Sequence, residues 1–194
     1  TIYHEHLRYY SLLSLKYLFD RHNLSIFHAK KISTHGGSIR VYVARKGKFK
    51  TQKSVKKIIS QEKNFLNWKN FKKFKYNVIL SKKKLLKFLN TIVKKGNTIY
   101  GIGAPSRAST LVNYLNLTKN TIKYICEIDG SYKIGNYMPG TKIPIVSEKK
   151  LYIDQPKYVL LLSWHIHKEL VSNLKKRGFK GKYIVPLPKP KIVG

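Results

Sequence analysis

The sequence is poor in cysteine and in acids. Its single cysteine, Cys126, excludes an internal disulfide framework and a zinc cage built from cysteines alone. Eight Asp and Glu stand against forty Lys and Arg, which leaves a formal charge of +32 at pH 7. Long apolar runs are absent as well. No stretch of about 18 apolar residues occurs, so no helical membrane span and no membrane partner are expected. No apolar segment with a small-residue cleavage site opens the chain, so nothing points to export and the cytoplasm is the expected compartment. The first residue is Thr1 rather than Met. What the chain does have is core material. With 42% hydrophobic and 12% aromatic residues in 194, wholesale disorder is excluded.

The basic excess is spread out. Residues 45–95 hold 18 basic residues and one acid, Glu62, while the other 143 residues hold 22 and 7. Asn and Ile are abundant too, as in compositionally biased chains. The charge is therefore read first as a solvated surface. A basic module for nucleic acid or another polyanion is the alternative reading, and nucleic acid is not the expected partner.

Apolar spacing at Leu12, Leu15, Tyr17, Leu18 and Phe19 predicts a helix opened by Ser11 and stopped near Asn23. A strand over residues 24–29, a turn at 34–37 and a strand over 38–43 then read as a hairpin. Residues 46–95 read as Lys-rich connecting helices. Val55 to Trp68 and Leu85 to Val93 keep helical spacing, and residues 47–50 are the expected linker. From residue 97 strands and helices alternate. Strands are expected at 98–103, 121–126, 143–146, 158–162 and, last, 182–185, with helices at 106–117 and 165–177. Pro144 suits an edge strand. The alternation implies βαβ units and a mostly parallel sheet of four or five strands.

Four groups of residues could carry chemistry. Gly101, Gly103, Ala104, Pro105, Ser106 and Arg107 stand where a strand turns into a helix, a place suited to a phosphate, with Arg107 as a fixed cation. Ser106 replaces the third glycine of the dinucleotide fingerprint, and Glu127 or Asp129, 24 or 26 residues after Gly103, falls loosely where a ribose-binding acid would. A turn that binds nothing is the plain alternative. Tyr3, His4, Glu5 and His6 form an ionisable cluster suited to proton transfer, or a solvated terminus. Tyr137, in the Pro-Gly loop of residues 135–141, could stack on a base or sugar ring or simply complete a turn. Ser163, Trp164, His165 and His167 follow a predicted strand at its carboxyl end, where open α/β sheets bind ligands.

Taken in series, these motifs resemble the S-adenosylmethionine-dependent sugar C-methyltransferases, which methylate a ring carbon of a nucleotide-linked keto-deoxysugar. The resemblance lies in Tyr3-His4-Glu5-His6, Thr34-His35-Gly36-Gly37-Ser38, Gly101-Ile102-Gly103-Ala104-Pro105, Tyr137-Met138-Pro139-Gly140-Thr141 and Ser163-Trp164. It implies an α/β fold. A Rossmann-like, mostly parallel sheet flanked by helices would be preceded by a helix and an antiparallel hairpin from a truncated methyltransferase domain. Residues 1–45 would be the end of that domain, 46–95 basic linking helices, and 96–194 the C-terminal Rossmann-like domain. Thr1 would mark a truncation. The S-adenosylmethionine site and the family's zinc motif would belong to a missing N-terminal part, with no metal site here, and the fragment alone would lack methyl transfer. Tyr3, Glu5 and His6 would be catalytic. His35, Gly101, Gly103, Ala104, Pro105, Ser106, Arg107, Tyr137 and Trp164 would bind the nucleotide-linked sugar. Two positions depart from the family pattern: His165 stands where Asn is commoner, and Arg107 where Lys or a small residue is. A third reading, a nucleotide-binding oxidoreductase domain, rests on Gly101 and Gly103 and is weakened by Ser106 and Pro105.

Overall fold

The structure, a computed structural model, describes residues 5–34 and 37–194. It divides into two compact units, residues 6–76 and, together with Glu5, residues 77–194.

In the first unit, α1 (Leu12–Asp20) opens at Ser11, as the sequence predicts. The Ser11 hydroxyl accepts the Ser14 N–H at 3.0 Å, and the Ser14 hydroxyl accepts the Ser11 N–H at 2.9 Å, a capping box. Asn23, with φ of 54°, turns the chain into β1 (Leu24–Ile32). This strand pairs antiparallel with β2 (Ser38–Arg45), from Leu24↔Arg45 to Ile32↔Ser38, with a bulge between Ile26 and His28. An isolated hairpin is marginal in water. Here α1 and α2 (Lys53–Phe65) cover it, and Leu12, Ile26, Ala29, Val55 and Ile58 form the shared core. The helical spacing read through Trp68 is interrupted. After Phe65 the chain breaks at Leu66 and Asn67, and the Asn67 side chain accepts the Asn70 N–H at 3.0 Å. Trp68 therefore starts α3 (Trp68–Lys94) instead of ending the preceding helix.

The second unit is a six-stranded sheet in the order β5-β4-β3-β6-β7-β8. Its strands are β3 (Ile99–Ile102), β4 (Ile125–Glu127), β5 (Ile145–Ser147), β6 (Tyr158–Leu161), β7 (Lys182–Val185) and β8 (Lys191–Val193). β3 to β7 are parallel, and β8 is antiparallel to β7. The central strands β3, β4, β6 and β7 are buried on both sides, and their side chains alternate between two clusters. Ile99, Ile125, Leu160, Leu162 and Ile184 join Leu85, Leu89 and Ile92 of α3 and Ala108 and Val112 of α4 (Ser106–Tyr114). Tyr100, Ile102, Cys126, Val159, Leu161, Tyr183 and Val185 join Leu151 of α5 (Lys149–Asp154) and Leu174 of α6 (His167–Lys176). Continuous apolar runs such as 158–162 follow from this two-sided burial.

The mostly parallel α/β sheet is the one the sequence implies, with three corrections in detail. Residues 182–185 are not the last strand. β8 follows after Pro186, Pro188 and Pro190. The strand expected at 121–126 is confined to Ile125–Glu127. The short helix α5 fills the β5-to-β6 connection. β5 does lie at the sheet edge beside Pro144, where a missing N–H is tolerated.

Candidate functional site

The strand order reverses between β3 and β6, the two strands that leave the centre of the sheet for opposite edges. At their carboxyl ends, Gly103 follows β3 and Ser163 follows β6. This is the crevice in which open α/β sheets hold ligands. Gly103 has φ of +79°, and a Cβ there would stand 3.0 Å from the Ser163 hydroxyl. Gly101 lies inside β3, where a Cβ would come within 3.0 Å of Ile125 and 3.1 Å of Leu162. Both glycines thus let neighbouring elements approach closely.

The turn after β3 is tied down by its own chain. Gly103 N–H donates to the Cys126 carbonyl at 2.8 Å. Ala104 N–H donates to Glu127 Oε2 at 2.7 Å, and Glu127 Oε1 accepts the Ile128 N–H at 3.2 Å. Lys133 Nζ donates to the Ala104 carbonyl at 2.9 Å and lies 3.9 Å from Glu127 Oε2. Pro105 is the N-cap of α4 and has no N–H. Ser106 Oγ donates to Glu5 Oε1 at 2.5 Å, which brings the acid of the residue 3–6 motif to the turn.

Beside the turn lies a cleft of about 400 Å³ whose walls include Ala104, Pro105, Ser106, Tyr132, Lys133 and Tyr137. Both tyrosines are exposed, and Lys133 Nζ lies 5.9 Å from the Tyr132 ring centroid. Asn113 of α4 donates to the Pro139 carbonyl at 2.8 Å and so holds the Pro-Gly loop that carries Tyr137. The surroundings suit a ligand with a flat ring and polar substituents, the rings offering stacking faces and Lys133 a cation.

Of the residues singled out in the sequence, Ala104, Pro105, Ser106 and Tyr137 meet in this cleft, and Glu5 reaches Ser106. Gly101 and Gly103 lie behind it in the sheet and turn. Arg107 stands half-buried in the first turn of α4. Trp164 opens a 3₁₀ turn (Trp164–Ile166) and packs against the cluster on the α5 and α6 face. His6 makes an edge contact with Tyr9, ring centroids 6.0 Å apart. Tyr3, His4 and His35 lie outside the described residues. Asp129 takes the Ser147 hydroxyl and lies 3.0 Å from Lys149 Nζ, and these partners hold its carboxyl below the usual range. Sequence reasoning missed Tyr132, Lys133 and Asn113, which belong to no motif and matter only because of where the loop folds. Among the described residues, no group of three or more His, Cys, Asp or Glu could hold a metal ion, and no helix is long and apolar enough to cross a membrane.

Fold and turn together define a Rossmann-like domain with a cleft beside the turn that follows β3. The family profile described as the C-methyltransferase C-terminal domain matches residues 33–188, and the chain belongs to that family. The chain is also similar to C-methyltransferase NovU of Streptomyces niveus, with 30% identity over 199 residues, covering 100% of this chain and 47% of that protein. It thus spans about half the length of this curated relative. The resemblance carried by the motifs holds at the level of C-methyltransferase.

Proposed function

We propose that these residues are the C-terminal part of a C-methyltransferase that acts in the cytoplasm on a nucleotide-linked keto-deoxysugar. Residues 1–45 close the methyltransferase domain, 46–95 connect, and 96–194 form the substrate-facing Rossmann-like domain. The observation that supports this reading is the Glu5–Ser106 hydrogen bond, which brings the acid of the 3–6 motif, Glu5, to the turn and cleft of residues 104–137. Tyr137 and Tyr132 offer ring faces to a base or sugar, and Arg107 and Lys133 offer cations to a diphosphate.

In this reading His6 removes the proton from the carbon next to the ketone, and the electron pair left behind forms an enolate. Glu5 orients His6 or a sugar hydroxyl, and Tyr3 donates a hydrogen bond to the enolate oxygen. S-adenosylmethionine supplies an electrophilic methyl group. The described residues do not fit that cofactor: in their one glycine turn between strand and helix, the Gly103 and Ala104 amides are taken internally and Pro105 has none. The cofactor and the family's zinc would be held outside these residues.

Two measurements test the reading. Calorimetric titration with a thymidine- or uridine-diphosphate keto-deoxysugar should give saturable binding, weakened about tenfold or more by Tyr137→Ala. In a full-length relative, replacing the residue equivalent to His6 by Ala should abolish solvent exchange of the α-proton, and unchanged exchange would overturn the base assignment. The second reading, a polyanion-binding module, draws on the exposed residues Trp68, Phe71, Phe74 and Tyr76 interleaved with lysines. It is favoured instead if the sugar does not bind and log affinity for DNA falls steeply with log salt.

A further inference from the structure

A strand-to-helix turn binds a phosphate through its free backbone N–H groups, helped by the positive end of the helix. In this chain the three residues after β3 have no such group to offer. The Gly103 N–H is bonded to the Cys126 carbonyl at 2.8 Å, the Ala104 N–H to Glu127 Oε2 at 2.7 Å, and Pro105 has none. Glu127 is the acid at the end of β4 that would be expected to hold a ribose in a dinucleotide site. It is turned onto the turn itself, with a side chain only 15% exposed, and its second oxygen takes the Ile128 N–H at 3.2 Å. Lys133 closes the arrangement by donating to the Ala104 carbonyl at 2.9 Å. A second carboxylate, Glu5, meets the same turn through Ser106. In a chain with eight acids and a charge of +32, two acids converging on one glycine turn is a specific placement.

We infer that Glu127 is the built-in anion of this turn: it occupies the place of a ligand phosphate and makes the crevice selective against dinucleotides and against any ligand whose pyrophosphate must reach the Ala104 N–H. An incoming phosphate would lose this hydrogen bond and face the Glu127 charge at short range. A nucleotide-linked ligand in the neighbouring cleft must then have its diphosphate held by side chains and not by these amides. The inference does not depend on methyl transfer, and its test uses no sugar.

The test is an amide NMR titration of the ¹⁵N-labelled chain with inorganic pyrophosphate, read at Ala104. In the wild type the Ala104 resonance should not respond saturably. Glu127→Ala removes the carboxylate, and Ala104 should then move saturably, with an affinity at least about tenfold above any wild-type response. Glu127→Gln keeps an acceptor oxygen without the charge and should show a smaller gain in the same direction. A wild-type Ala104 that responds as strongly as the Ala variant overturns the inference, as does a folded Ala variant that does not respond. If the Ala variant does not fold, a Gln variant indistinguishable from wild type overturns it as well.

Discussion

The carboxylate of Glu62, on α2, accepts the N–H of Leu12 at 2.8 Å, and its other oxygen accepts the N–H of Leu13 at 2.9 Å. With the Ser11 hydroxyl on the Ser14 N–H, the first three amides of α1 all have partners. A negative charge at that end also complements the helix dipole. The one acid in the basic stretch of residues 45–95 is therefore a tertiary cap, placed beside fully buried Leu12.

Removing that cap should loosen the first unit. Glu62→Ala should destabilise it by about 1.5–3 kcal/mol, the range for a hydrogen bond to a charged group. Glu62→Gln, which keeps an acceptor, should cost less. Hydrogen exchange at Leu12 and Leu13 reports the change locally. Unchanged protection in the Ala variant would show that the carboxylate contributes nothing there.

The second unit should lose stability in alkali. Burial, with help from Asp154 and Glu148, pushes the Cys126 thiol up from 9.0 to about 12. Burial raises the hydroxyls of Tyr100, Tyr152 and Tyr183 as well, and Asp154 adds to the rise at Tyr100. For such groups the stabilisation is complete below the unfolded-state value and is lost as pH rises through the folded one. Cys126 alone should remove about 1.4 kcal/mol per pH unit between pH 9 and 12. Thermal melts from pH 8 upward, compared with Cys126→Ala, measure its share. An identical slope in the variant would remove the thiol from the account.

Arg177 should matter more than a surface cation does. It lies 2.6 Å from Glu148, whose side chain is 7% exposed, and its guanidinium lies 5.1 Å from the Tyr152 ring centroid. Glu148 in turn donates its N–H to the Glu127 carbonyl at 2.8 Å, so the pair adjoins β4. Arg177→Ala leaves a buried carboxylate without its partner and should cost about 1–3 kcal/mol in chemical denaturation. Arg177→Lys should recover only part of this, because an ammonium does not stack flat on the ring. Full recovery by Lys would reduce the contact to simple charge.

Much of the fold was legible because its signals are local. Ser11 opens α1 and Asn23 turns the chain from it into β1, since a hydroxyl caps the nearest amides and Asn tolerates positive φ. The parallel strands announced themselves as apolar runs, because burial on both faces removes polar residues from them. Pro144 marked an edge, where no N–H is needed. The short elements were not legible: β8 and α5 carry too few residues for a period to emerge. At the site, Gly101, Gly103 and Tyr137 were visible as punctuation in the chain, whereas Tyr132 and Lys133 had no pattern to give them away.

The amino-acid sequence alone therefore determined the alternating α/β half and the turn around which a site could form, because helix caps, apolar periods and glycine punctuation act over a few residues, and its motifs in series carried the resemblance to the family. The tertiary structure decided what the acids do. Glu62, Glu127 and Glu5 meet partners about 50, 23 and 101 residues away. Such contacts exist only once each unit has folded, since hydrogen-bond geometry at 2.5–2.8 Å depends on distances that no local pattern encodes.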